Sequence, residues 1–284
     1  MKKKKTPQKG LSTLAAGIAL AAVGAHAQTT PVFDYSFPSS WSGTGTTITD
    51  QSSAANNGSS DGTISLDSTV PPGAAGGTES LNTTAGGILT DADALLANSA
   101  VAAAGGFEYN VDFMWNGTDS SSFGHTEKII DYAGTESLQL VTTSGSASLQ
   151  MTFGGNSSLS PNVPETIAVS TTILPNTWYA VSLIFNTEGN AVDGSGDLAG
   201  IASLDVNGGA PITGAATKGN YGDTLDRPIG VGQLGANFGY LVGFNGDLYD
   251  PTVALGVPEP SSLALGMVGG LGVIALRWRA RRKA

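Results

Sequence analysis

The segment Phe107–Trp115 constrains the fold more than any other. Phe107, Tyr109, Val111, Phe113 and Trp115 take every second position, with Glu108, Asn110 and Asp112 between them. Successive side chains of a β-strand point to opposite faces, so this strand has one apolar and one wet face. The same period recurs in Tyr179, Val181, Leu183 and Phe185, and again in Leu149, Met151 and Phe153. Shorter strand candidates are 128–132, 138–142, 166–170, 201–206, 228–233 and 245–255, with Gly- and Asn-rich turns at 154–156, 207–209 and 219–220. Only 91–104, rich in alanine, reads as a helix. Many short strands joined by turns predict an all-β domain of two packed antiparallel sheets. The chain has no cysteine, so burial of apolar surface, with hydrophobic residues at 40%, must supply its stability.

The two ends obey a different logic. Residues 1–27 join a lysine-rich start to the apolar run Leu11–Gly24 and then to Ala25-His26-Ala27, a small-x-small cleavage site. That order is a secretory signal, with cleavage expected before Gln28 by signal peptidase after Sec-type export. At the other end, Val257-Pro258-Glu259-Pro260 precedes Ser261–Leu276, which holds no charged side chain. The tail 277–284 then carries Arg277, Arg279, Arg281, Arg282 and Lys283. Prolines lack the amide hydrogen that a helix interior requires, so a helix is expected to begin after Pro260. The uncharged stretch would span about 24 Å, which snorkelling arginines and an interfacial Trp278 extend towards the bilayer thickness. Basic flanks favour the cytoplasmic side, which places the middle of the chain outside.

That middle is acidic. Between Gln28 and Val257 stand 22 carboxylates against only Lys128, Lys218 and Arg227, a formal charge of −19. Such a surface repels phosphate backbones and anionic lipid, so nucleic acid is excluded as a partner, whereas cations and neutral sugars are tolerated.

The tail resembles the PEP-CTERM sorting signal of Gram-negative bacteria that make exopolysaccharide. Val257, Pro258, Glu259 and Pro260 supply the motif, 261–276 the Gly-rich transmembrane helix and 277–284 the basic stop. The resemblance implies a membrane-anchored precursor in the inner membrane, cut near Pro258–Pro260 by an exosortase-type enzyme. The domain would then pass to the cell envelope, outer surface or extracellular matrix. A permanent anchor is the alternative; it would need no Pro-Glu-Pro.

The middle, 28–256, resembles laminin-G-like domains of the concanavalin A-like jelly-roll sandwich. Asp50-Gln51-Ser52-Ser53 with Asn57-Gly58 looks like the opening segment of that family. Phe107–Trp115 and Trp178-Tyr179-Ala180-Val181 look like two of its strands, and Leu204-Asp205-Val206-Asn207-Gly208 like a hairpin. Phe244-Asn245-Gly246-Asp247-Leu248-Tyr249 looks like the closing strand, although Asp250-Pro251-Thr252 departs from its usual ending. The resemblance implies a non-catalytic structural or adhesive domain. A calcium-dependent carbohydrate-binding module is the alternative, and a glycoside hydrolase the outlier.

No catalytic residues emerge. Once the signal is removed His125 is the only histidine, and no Gly-x-Ser-x-Gly elbow accompanies it. Glu108 and Asp112 lie about 13 Å apart along one strand face, too far for a retaining glycosidase pair. No cofactor is required, but Asp193, Ser195 and Asp197 offer oxygens at alternate positions of a loop, which is calcium chemistry. Trp41, Tyr221 and Tyr240, together with Phe238, lie in Gly-rich surroundings and are candidates for stacking on extracellular polysaccharide.

Overall fold

The computed structural model describes residues 29–74, 77–90, 93–118, 126–132, 136–143, 146–154, 165–219, 228–232 and 243–257. The signal residues Ala25, Ala27 and Gln28, the sorting residues Pro258, Glu259 and Pro260, and the basic tail lie outside them. Thr29–Val257 form one compact unit.

Alternation becomes strand pairing as the sequence predicts. The early strands are β1 (Thr30–Asp34), β2 (Thr47–Ile48), β3 (Gly58–Asp67) and β4 (Ser80–Thr90). After a short helical segment come β5 (Gly106–Trp115), β6 (Thr126–Tyr132), β7 (Glu136–Thr143), β8 (Ser146–Phe153) and β9 (Glu165–Ile173). The series closes with β10 (Trp178–Asn186), β11 (Leu198–Val206), β12 (Ile212–Lys218), β13 (Ile229–Val231) and β14 (Gly246–Leu255). All pairings are antiparallel.

The sequence predicts two sheets, and the structure joins the two layers into one hydrogen-bonded path, β12-β11-β10-β5-β14-β4-β13-β6-β7-β8-β9. Strand β4 makes the join: Leu81 and Asn82 pair with β14, while Ile88, Leu89 and Thr90 pair with β13. Gly86 sits at the crossing between these two segments, where a Cβ would stand 2.5 Å from the Asp61 carbonyl oxygen, so only glycine fits.

The apolar faces meet between the layers. Phe107 of β5 and Phe185 of β10 stack at 5.4 Å, and Phe153 of β8 reaches both from the facing layer at 6.5 and 5.2 Å. All three rings are fully buried, and such aromatic contacts add to the burial term that holds the layers together.

The expected helix over 91–104 is interrupted. A 3-10 turn, Asp93–Leu96, precedes α1 (Asn98–Ala104), and Ala97 between them has an extended backbone at φ −55° and ψ 144°. The break has a tertiary cause. The buried Asn98 side chain donates from Nδ2 to the Gly196 carbonyl at 2.7 Å and to the Lys218 carbonyl at 3.2 Å. Gly105, in the left-handed region at φ 82°, ends α1 and turns the chain into β5.

Candidate functional site

Even-numbered side chains of β5 and β10 point away from the core, and the pairing register sets them side by side. Thr252 of β14 stands opposite Asn110 of β5, Asn110 opposite Ser182 of β10, and Ser182 opposite Asp205 of β11. Hydroxyl, amide, hydroxyl and carboxylate thus form one row across four strands, at a spacing of about 4.8 Å per strand. In the next row Asp112 lies between Tyr249 and Ala180. The small Ala180 leaves the row open. Together with Val111, Val181, Asp250 and Gly208 these residues, Tyr249 excepted, line a groove of about 330 Å³.

The groove's walls come from two irregularities. Pairing of β14 with β5 shifts register between Tyr249 and Thr252, and Asp250 within that bulge has a positive φ of 52°. Its carboxylate is fixed from below: Ser36 Oγ donates to Asp250 Oδ1 at 2.7 Å. At the other wall, Asn207 and Gly208 form the left-handed turn after β11, with φ 57° and 65°. The Asn207 side-chain oxygen accepts from the Ala180 amide at 2.9 Å, tying that turn to the groove floor.

The groove is electronegative. Burial pushes the Asp112 carboxyl above its ordinary range, and the neighbouring Asp250 carboxylate pushes it the same way. Beneath the wall, burial likewise raises Asp34, with Asp250 and Asp50 adding to the effect while the Ser36 hydroxyl opposes it. Asp50 anchors the opening segment: its carboxylate accepts from the backbone amides of Asp34, Ser52 and Asn56 and from Ser52 Oγ, each at 2.8 Å.

Asp247, just outside the groove, is pushed up to about 6, first by burial and then by the Asp67 carboxylate, while Asn82 Nδ2 donates to its Oδ1 at 2.9 Å and opposes the rise. A carboxyl whose folded value exceeds its unfolded one stabilises the fold when protonated, so stability is lost as pH rises through that value. Asp247→Asn is therefore expected to gain stability over the parent at pH 7, by about 1 kcal/mol after allowance for solvent screening. That gain should shrink to nothing by about pH 4, as paired thermal melts would show.

The sequence-level candidates fare unevenly. Trp41 is buried, 6% exposed, and its indole N–H donates to the Gly45 carbonyl at 3.2 Å. The ring packs into the core cluster, so it offers no face to a sugar, which corrects the expectation for this residue. Tyr221, Phe238, Tyr240 and His125 lie outside the described residues. Asp193, Ser195 and Asp197 lie in the loop between β10 and β11. Asp193 and Ser195 are exposed, whereas Asp197 is buried. Asp193 Oδ1 accepts from the amides of Ser195 and Asp197 at 2.8 and 2.9 Å, which is turn chemistry. Among the described residues no group of three acidic, histidine or cysteine side chains is placed to hold a metal ion. Glu108 and Asp112 share the outer face, as their alternation predicts, and Glu108 Oε1 accepts from Ser182 Oγ at 3.2 Å. Sequence reasoning missed Asn110, Ser182, Asp205, Asp250 and Thr252. Its only available signal was that their neighbours along each strand are apolar.

The architecture defines a class by its fold: an antiparallel β-sandwich domain with an open polar groove on one face. One solved structure of that fold is titled the binding domain of botulinum neurotoxin DC in complex with SialylT, at TM-score 0.52 and 13% identity over 82% of this chain and 49% of that one. The binding domain of Paraclostridial mosquitocidal protein 1 is also similar, at TM-score 0.48, 14% identity, 82% of this chain and 50% of that one. Domains LG4-5 of the mouse laminin α1 chain align at TM-score 0.33, 12% identity, 55% of this chain and 38% of that one. The chain spans about half the length of the first two structures. No curated protein sequence matches it. The particular mark of this chain is at its end: residues 256–282 match the PEP-CTERM protein-sorting motif. A chain with this motif is an exported substrate of an exosortase-type enzyme, held at the membrane by its C-terminus before processing. Among the described residues no helix is long and apolar enough to cross a membrane; 261–276 lies outside them.

Proposed function

We propose that this protein is a surface or exopolymer-matrix component whose sandwich domain, once released from its anchor, holds extracellular polysaccharide without chemically altering it. The sorting motif at 256–282 carries the reading, because a protein-sorting signal fits a domain that is anchored first and handed on afterwards. The groove supplies the contact surface. Its row of Thr252, Asn110, Ser182 and Asp205 sets two hydroxyls and an amide, which both donate and accept, beside an acceptor carboxylate, which suits a polyhydroxylated chain. The acidic surroundings of Asp112, Asp205 and Asp250 disfavour polyanions and leave neutral saccharides as the fitting class.

The test is a melting-temperature screen of neutral oligosaccharides, with a polyuronate as the anionic control. A saccharide that binds only the folded domain stabilises it by about 2.7 kcal/mol at a hundred times its dissociation constant. Ala180→Trp is expected to abolish the shift by filling the groove while leaving the ligand-free melt near that of the parent, since Ala180 is exposed. If no neutral saccharide moves the melt, or if Ala180→Trp responds as the parent does, the groove is not the binding surface.

A further inference from the structure

Only three basic residues occur between Gln28 and Val257, and one of them, Lys218, is buried in the interior. Its Nζ lies 2.7 Å from Glu136 Oε1, with the two side chains 2% and 1% exposed. Glu136 begins β7 in one layer and Lys218 ends β12 in the other, so the pair bridges the sandwich. Lys218 Nζ also sits over the Tyr132 ring, 4.7 Å from its centroid, and Tyr132 is the register partner of Glu136. The end of β12 is held in place by Asn98, whose amide donates to the carbonyls of Lys218 and Gly219. Beside the pair, the Tyr109 hydroxyl is fully buried and makes no hydrogen bond among the described residues. Burial pushes that hydroxyl well above its ordinary range, and the Glu136 carboxylate adds to the push.

A buried ion pair of this kind is a poor way to stabilise a fold, because both charges lose their hydration and apolar replacements often serve as well. Condensation removes both charges at once. We propose that Lys218 and Glu136 join as an intramolecular amide, giving this cysteine-free exported domain a covalent tie between its two layers.

The step balances without any outside reagent. The Lys218 ammonium passes a proton to the Glu136 carboxylate across the existing contact, and the freed amine lone pair attacks Glu136 Cδ to form the C–N bond. The tetrahedral centre then expels one former carboxyl oxygen. That oxygen takes a proton from the Tyr109 hydroxyl and leaves as water, and Tyr109 recovers a proton from the attacking nitrogen. Ammonium plus carboxylate thus becomes amide plus one water. Fixed contact replaces a bimolecular encounter, which corresponds to effective concentrations on the order of 10⁵ M or more. Exclusion of solvent opposes the reverse reaction.

Mass spectrometry of a denatured tryptic digest of the full exported chain reads the bond directly. Unlinked, the fragment that starts at Ile129 ends at Lys218. Linked, it runs uncut through Lys218, whose ammonium is gone, and is lighter by one water. Lys218→Met should restore the full mass. Tyr109→Phe, which removes only an unpartnered hydroxyl and so leaves the fold intact, should form the link about 10²-fold more slowly. Free cleavage after Lys218 at full mass in the aged parent protein overturns the proposal. So does an equal loss of water in Lys218→Met. Linking in Tyr109→Phe at the parent rate overturns the role given to Tyr109.

Discussion

A chain in which Pro258, Glu259 and Pro260 are all replaced by alanine should accumulate at full precursor length in the membrane fraction, with none of the processed form. The argument is geometric and electrostatic. Prolines fix φ near −65° and lack amide hydrogens, so the motif is expected to stay out of the helix that the sequence predicts after it. Glu259 is the only acidic side chain from residue 258 onward, a single negative point ahead of an uncharged stretch and a tail of five basic side chains. Alanine would let the expected helix over 261–276 extend backwards through 258–260, drawing the expected cleavage region into regular hydrogen bonding while preserving apolar length and the basic stop. Insertion should therefore survive and processing should not. Immunoblots of membrane and released fractions, with the mature C-terminus read by mass spectrometry, check both halves. Normal release of the triple variant would reduce the tail to a simple anchor.

The parts of the fold that local pattern can encode were legible in the chain. Phe107–Trp115 reads as a strand with one buried face, and β5 keeps that face, with Phe107, Tyr109, Val111, Phe113 and Trp115 all inside. Strands β3 and β4 were not legible. Gly58-Ser59-Ser60-Asp61-Gly62-Thr63 shows no alternation of apolar residues, and β4 contains Gly86-Gly87 at its centre. Their hydrogen bonds come from each other along most of their length, a tertiary preference that overrides weak local propensity. The groove was hidden for a related reason. Alternation tells which face Asn110 occupies, but its adjacency to Thr252 and Ser182 follows from register between strands distant in sequence. Trp41 illustrates the converse error: Gly-rich flanks such as Gly43 and Gly45 suggest an exposed loop, yet the loop folds its ring inward and gives its N–H a carbonyl partner. Asp250-Pro251-Thr252, a departure from the resembled family's ending, turned out to mark the bulge that raises one groove wall.

Trp115→Ala is expected to be the most damaging single change in the described domain, costing about 3–5 kcal/mol from cavity formation alone. The residue is 1% exposed and among the largest fully buried side chains, and no neighbouring backbone is free to collapse into its space because β5 is paired on both sides. A second cost is polar. The indole N–H donates to Glu127 Oε1 at 3.4 Å, and Glu127, fully buried, also accepts from the Asn245 amide at 2.9 Å through Oε2. Removing the indole takes one donor from a carboxylate that has no access to water, a loss of about 1–3 kcal/mol that falls on the junction leading into β14. Trp115→Phe separates the two contributions, because it keeps most of the volume and loses the donor. Denaturant titrations should therefore rank the parent above Trp115→Phe and Trp115→Phe above Trp115→Ala. The gap between the last two would report cavity, and the gap between the first two would report Glu127. Since domains of this size are stable by only about 5–15 kcal/mol, the alanine variant should unfold well below the denaturant concentration that the parent tolerates. Equal midpoints for parent and Trp115→Phe would show that the carboxylate draws nothing from the indole, and a tolerant Trp115→Ala would mean that the two layers do not meet at this ring.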